Sequence, residues 1–293
     1  MSKRGMTGRF LPWTAGTAAW NMAVDEALLT TYLRGTAPVT LRFYGWDPPA
    51  LSLGYLQRPL SAARQARCRQ AGVEWVRRPT GGRAVFHQYE LTYALVAGEQ
   101  DGFTGSVLAD YHRIALGLQR GFALLGLPVE MAAGQRRGKA MLPEACFAAP
   151  SWYELTYQGK KLVGSAQLRR GKALLQHGSI LLAYDPWFWW EVWAEEPGTA
   201  AVDKAALSGK VIGLEEALGM VPDRMAVIAA LRQGLSEVLG ISWEEGFLTA
   251  EERRLATQLQ REKYANPAWN NRRGRSARPV MEATPSCKEE ARG

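Results

Sequence analysis

Residues 154–182 read Glu154-Leu155-Thr156-Tyr157-Gln158-Gly159-Lys160-Lys161-Leu162-Val163-Gly164-Ser165-Ala166-Gln167-Leu168-Arg169-Arg170-Gly171-Lys172-Ala173-Leu174-Leu175-Gln176-His177-Gly178-Ser179-Ile180-Leu181-Leu182, and this stretch decides the fold. Glu154 to Tyr157 predicts a strand, Gln158-Gly159-Lys160 a tight turn, and Lys161 to Gln167 the returning strand of a hairpin. A second turn, Arg169-Arg170-Gly171-Lys172, leads into the apolar run Ala173–Leu182, broken only by Gln176, His177 and Ser179. An internal strand interrupted by polar residues is the wall of a pocket. Strict alternation puts Lys161, Val163, Ser165 and Gln167 on one polar face and Leu162, Gly164 and Ala166 on the other. Gly164 and Gly178, each inside a strand pattern, fit places where a ligand or another backbone comes close.

Just upstream lies Glu144-Ala145-Cys146-Phe147, then Pro150-Ser151-Trp152-Tyr153. With Lys161 it reads as a thiol nucleophile beside a cation. Taken alone, a single cysteine is more often a small buried hydrophobe, and Cys68 and Cys287 keep that ordinary reading. Lys161 alone would be a solvated charge near a turn, and His177 alone a satisfied interior histidine.

A second block, Trp75-Val76-Arg77-Arg78-Pro79-Thr80-Gly81-Gly82-Arg83-Ala84-Val85-Phe86-His87, changes that balance. Arg77 and Arg78 offer side-chain donors, and Thr80-Gly81-Gly82 offers unhindered backbone N–H groups, so the loop suits an oxygen-rich ligand. By itself it would be an ordinary turn with solvated arginines.

Together the two blocks resemble the superfamily of lipoate-protein ligases, biotin-protein ligases and octanoyltransferases. The resemblance starts at Asn21-Met22-Ala23-Val24-Asp25-Glu26, runs through Trp46-Asp47-Pro48-Pro49 to Gln57, and ends near Lys263-Tyr264 and Trp269-Asn270. It implies an α+β fold, a ligase-like catalytic domain with mixed β-sheets packed by helices. Among members the chain is most similar to the LipM-type octanoyltransferases, whose cysteine precedes a Pro-Ser-Trp-Tyr-Glu segment as Cys146 does here. Ligases usually carry a third glycine where this chain has Arg83, and the LipB type places its cysteine near the His-Gly strand, where Leu175 and Gln176 stand. Gln88 replaces an acid that relatives often carry.

The resemblance implies an acyltransferase that moves octanoyl from octanoyl-acyl carrier protein, through a Cys146 thioester, to the lipoyl-domain lysine of glycine cleavage H protein, starting protein lipoylation. The alternatives are an amidotransferase from octanoyl-H protein to other lipoyl domains and, further off, an ATP-dependent lipoate ligase. Cys146 and Lys161 are the expected catalytic pair, with Lys161 favouring the thiolate. Arg77, Arg78, Thr80, Gly81, Gly82, His87, Gly164, Ser165, Gln167, His177 and Gly178 are expected to bind substrate. A thioester is already activated, so no cofactor and no metal is expected, and the protein is expected to be a monomer.

At 293 residues and 47% hydrophobic the chain can bury one large core. The expected division is a domain over 1–271, with its motif core at about 38–248 and a C-terminal helix at about 249–265, then a flexible basic tail over 272–293. Three unevenly spaced cysteines and no long apolar run predict a cytoplasmic protein without a membrane span. Helices are predicted from Ala18 to Leu33, after Ser106, after Asp223, and after the Thr249/Glu252 capping box, all as core elements without chemistry. The cluster Trp187-Phe188-Trp189-Trp190 with Trp193 reads first as packing beneath a loop and second as an acyl pocket or partner surface. Net charge +8 has no nucleic-acid motif to explain it. Seven arginines against Glu74 between Arg58 and Arg83 instead suit an acidic carrier protein.

Overall fold

Gln158 and Gly159 both take positive φ, 50° and 74°. That is the geometry of a two-residue hairpin turn whose twist matches its strands. In the computed structural model, which describes residues 6–132, 154–193 and 209–272, the turn joins β8 (Leu155–Tyr157) to β9 (Lys160–Arg170). Lys160 therefore belongs to the strand rather than the turn. Gly171 (φ 55°) closes the next hairpin into β10 (Ala173–Leu181).

These strands extend an eight-stranded mixed sheet ordered β11-β1-β2-β6-β10-β9-β8-β7. Its other members are β1 (Met6–Gly16), β2 (Thr40–Trp46), β6 (Glu90–Gly98), β7 (Glu130–Met131) and β11 (Ile241–Glu245). β1 runs parallel to β2 and β11, and the remaining pairs are antiparallel. A second sheet of three strands, ordered β4-β3-β5, is built from β3 (Ala50–Leu53), β4 (Glu74–Arg77) and β5 (Val85–His87). The α+β architecture with mixed sheets is as the sequence implied.

Helices cover both faces of the large sheet. On one face α3 (Val107–Leu124), capped by Ser106, packs with α6 (Arg224–Leu239), capped by Asp223, over Phe43, Tyr93, Leu95, Leu162 and Ile180. Val107 and Met225 lie exposed in the first turns of these two helices. On the other face α1 (Ala18–Leu33) is buried on almost every side, between the sheet and α7 (Ala250–Leu259). The Thr249/Glu252 capping box forms, and the helix runs on as a π-helical turn to Tyr264. α2 (Ala62–Gln70) and α4 (Pro186–Trp193) close over the small sheet, where Phe188 meets Phe86 and Arg64 stacks on buried Trp193. The two short helices are α5 (Leu214–Leu218) and α8 (Pro267–Asn270). No helix among the described residues is long and apolar enough to cross a membrane.

Two sequence expectations need correction. Leu162 and Val163 are neighbours yet both enter the same core cluster, because the β8–β9 register shifts between Leu155 and Thr156. Lys161 is thereby uncoupled from Val163, Ser165 and Gln167 and lies instead on the cavity side with Gly164. The second correction is Arg272, assigned to a free tail. Its guanidinium lies 3.9 Å from the Tyr55 ring centroid and 4.5 Å from that of Trp269, and its carbonyl accepts from Arg77. Residues 273–293 lie outside the described residues.

Candidate active site

The loop after β4 folds back because glycine leaves room for it. A Cβ at Gly54 would sit 1.9 Å from the Gly82 carbonyl oxygen, so only glycine lets the end of β3 and the Gly81-Gly82 turn touch. That contact holds the loop over β10 and β9, and between them lies a cavity of about 80 Å³. Met22, Tyr44, Trp46 and Val85 supply apolar wall, while Arg78, Arg83, Glu154, Lys161, His87 and His177 supply polar groups.

One wall is a hydrogen-bonded frame centred on Arg78. Its Nη1 donates to the Ser52 carbonyl and hydroxyl, its Nε to the Thr80 hydroxyl and Gly81 carbonyl, and its Nη2 to the Gly81 and Arg83 carbonyls. Two histidine chains hang from those hydroxyls. Thr80 Oγ1 is 2.7 Å from His177 Nε2, and His177 Nδ1 is 2.9 Å from Asp25 Oδ2. A carboxylate at Asp25 can only accept, so the shared proton lies on His177 Nδ1. Asp25 also accepts from Arg42 at 3.1 Å and from the Tyr44 hydroxyl at 2.9 Å. In the second chain Ser52 Oγ is 2.8 Å from His87 Nε2, and His87 Nδ1 is 3.5 Å from Glu90 Oε2. His87 stacks on Trp46 with centroids 4.0 Å apart. Burial holds the His87 pKa below its ordinary value, and Arg78 and His177 push it the same way against the pull of Glu90.

The opposite wall is built differently. Lys161 Nζ donates to Glu154 Oε1 at 2.7 Å, with both side chains more than nine-tenths buried. The sequence reading of Lys161 as a lone cation beside a thiol is therefore incomplete, because a carboxylate shares its charge. Four polar atoms of described cavity-lining residues are buried with no hydrogen-bond partner, namely Arg83 Nη1, His87 Nδ1, Glu154 Oε2 and Ser179 Oγ.

Of the residues expected at the site, Arg78, Gly82, His87, Lys161, Gly164, Ser165, His177 and Gly178 line the cavity. Thr80 and Gly81 stand behind it as partners of Arg78. Arg77 points elsewhere: its guanidinium donates to the carbonyls of Gly54, Tyr55, Gln57, Asn270 and Arg272. Gln167 pairs with Gln176, which in turn donates to Tyr93 on the α3 face of the sheet. The Ser165 hydroxyl also turns to Tyr93, at 2.8 Å. Gly178 makes room for these side chains rather than a ligand, since a Cβ there would lie 2.4 Å from Ser165 Oγ and 2.6 Å from Tyr93. Cys146 and Pro150 to Tyr153 lie outside the described residues. Cys68 is fully buried, and burial raises its thiol to about 11, which suits the inert role given to it.

Asp25 and Ser52 were not singled out from sequence, and Arg83 and Ser179 were noted there without a binding role. For Asp25 the available signal was an acid inside the apolar helix run Met22–Leu29. No group of three or more His, Cys, Asp or Glu residues among those described could hold a metal ion. The arginine-rich segment is less basic on its surface than its composition suggests, because Arg77 and Arg78 are buried and spent on hydrogen bonds.

The lipoyl protein ligase A/B catalytic domain model matches residues 17–236. The chain is 43% identical to the octanoyltransferase LipM of Kyrpidia tusciae over 91% of this chain and 99% of the relative. It is 39% identical to the octanoyltransferase LipM of Carboxydothermus hydrogenoformans, over 90% and 98%. Among solved structures, it superposes on a lipoate-protein ligase A bound with ATP with TM-score 0.75 and 24% identity, over 91% of this chain and 99% of that one. A bipartite lipoate protein ligase from Thermoplasma acidophilum gives 0.74 and 23%, over 93% and 99%.

Proposed function

The chain belongs to the lipoyl protein ligase A/B catalytic-domain family, and we propose that it is an octanoyltransferase that takes octanoyl from octanoyl-acyl carrier protein, holds it as a thioester on Cys146, and passes it to the lipoyl-domain lysine of glycine cleavage H protein. The observation that carries the transferase reading is the near-full-length likeness to octanoyltransferases LipM at 43% and 39% identity. The cavity is consistent with it, pairing apolar wall for an alkyl chain with Lys161 and Glu154 at a polar margin.

The chemistry needs two steps. A thiolate attacks the donor thioester carbonyl, a new C–S bond forms, and the carrier thiol leaves with little change in free energy. The lysine amine then attacks the acyl-enzyme. At pH near 7.5 an ordinary thiol is only about a tenth ionised, and an ammonium close by raises that fraction. Lys161 is the group assigned to this, its field tempered by Glu154. Arg78 and the two histidine chains act as frame, since each of the three guanidinium nitrogens of Arg78 already has a protein partner.

Purified chain incubated with octanoyl-acyl carrier protein and H protein, without ATP, is expected to yield octanoyl-H protein. If it ignored that donor but moved octanoyl from H protein to a dehydrogenase lipoyl domain, the amidotransferase assignment would replace this one. A requirement for ATP and free acid would make it a ligase.

A further inference from the structure

Buried carboxylates normally use both oxygens, because an acceptor removed from water and left unpaired loses its hydration without compensation. Glu154 uses one. Its Oε1 accepts from Lys161 at 2.7 Å, whereas its Oε2 is buried on the cavity wall without a partner, in a residue 4% exposed. It is the only carboxylate among the described residues lining that cavity. The other acids nearby are engaged: Asp25 by Arg42, Tyr44 and His177, and Glu90 by the Thr92 hydroxyl on both oxygens. Arg83 Nη1 and Ser179 Oγ, also unpaired on this wall, mark the same space as built to receive a polar group.

We propose that Glu154 Oε2 is the seat of the acceptor lysine's ε-ammonium and takes its proton before acyl transfer. This rests on the acyl-transfer reading above. An unpaired acceptor beside a cavity selects a donor, and the substrate that must enter as a donor is the lysine, protonated at neutral pH. The steps balance. The ammonium gives one proton to the Glu154 carboxylate, the neutral amine attacks the enzyme-bound thioester carbonyl, the C–N bond forms and the C–S bond breaks. The departing thiolate takes the second proton from nitrogen, and Glu154 returns the first to water. Lys161, bound to the other oxygen, holds the carboxylate in place throughout.

The test separates loading from transfer. In Glu154→Gln the Lys161 charge is no longer tempered, so loading of octanoyl from its carrier-protein thioester should hold or rise. Single-turnover transfer from the loaded enzyme to a lipoyl-domain lysine should fall about 10²- to 10³-fold, the usual size of a lost proton acceptor. Discharge of the loaded enzyme by hydroxylamine, a nucleophile uncharged near neutral pH, should match wild type, because no ammonium has to be deprotonated. Equal losses toward lysine and hydroxylamine, or unchanged transfer to lysine, would overturn the proposal. If the Gln variant does not load, Glu154→Asp decides: normal loading with lysine transfer slowed at least tenfold supports the assignment, and unchanged transfer refutes it. A wild-type chain that never loads overturns the acyl-transfer reading itself, a result distinct from one that loads and delivers without needing Glu154.

Discussion

Arg78 and Arg83 stand five residues apart in one loop and face one cavity, yet they are opposites. Each of the three guanidinium nitrogens of Arg78 is bonded to protein, and through Ser52 and Thr80 it organises two histidines. Arg83 offers Nη1 to the same space with nothing to bond. The difference separates scaffold from reactive surface. Polar groups that satisfy one another fix the shape of a pocket, and those left unsatisfied are what a substrate can satisfy.

Substitution should split the two arginines. Arg78→Met removes the donor to the Ser52, Gly81 and Arg83 carbonyls and to the Ser52 and Thr80 hydroxyls, so it should cost about 3 kcal/mol or more in urea unfolding and lose activity with the fold. Arg83→Met removes a donor that the folded chain does not satisfy, and so should change stability by less than about 1 kcal/mol. Octanoyl transfer in that variant should still fall by about tenfold or more, the loss of one hydrogen bond to a substrate oxygen. If Arg83→Met destabilised the protein as much as Arg78→Met, or left transfer intact, the contrast between the two arginines would collapse.

A smaller effect is expected from pH. His87 has its pKa depressed by burial, so the folded state resists its protonation while the unfolded state does not. Its contribution to stability is therefore present above the ordinary value near 6.5 and is lost as pH falls below it toward the folded value. The urea midpoint should drop between about pH 6.5 and 5.5, and His87→Gln should flatten that limb. A wild-type midpoint constant over this window would place His87 outside the buried frame.

Much of this was legible in the residues themselves. Gln158-Gly159 and Gly171 announced two hairpins, and Ser106, Asp223 and Thr249 announced three helix starts, because turns and caps are set by local chemistry. The loop from Arg77 to His87 was recognised, but not which arginine faced inward. Adjacent residues at a strand end point opposite ways, and the choice between them depends on contacts with Gly54 to Gln57 and Asn270, distant in sequence. Lys161 was placed on the wrong face because a register shift between strands leaves no mark on either strand alone. Asp25 was passed over since a helix read by its apolar period hides the one acid it carries to His177. Arg272 looked like tail by composition, and only the aromatic surface of Tyr55 and Trp269 explains its place.

The central claim is that octanoyl passes through a thioester on this chain, and intact-mass analysis after incubation with octanoyl-acyl carrier protein tests it most directly. The account predicts a single octanoyl adduct without ATP, removed by mild hydroxylamine, absent from Cys146→Ala and retained by Cys68→Ser and Cys287→Ser. An octanoyl adduct that persists in Cys146→Ala, or efficient transfer by that variant, would contradict it.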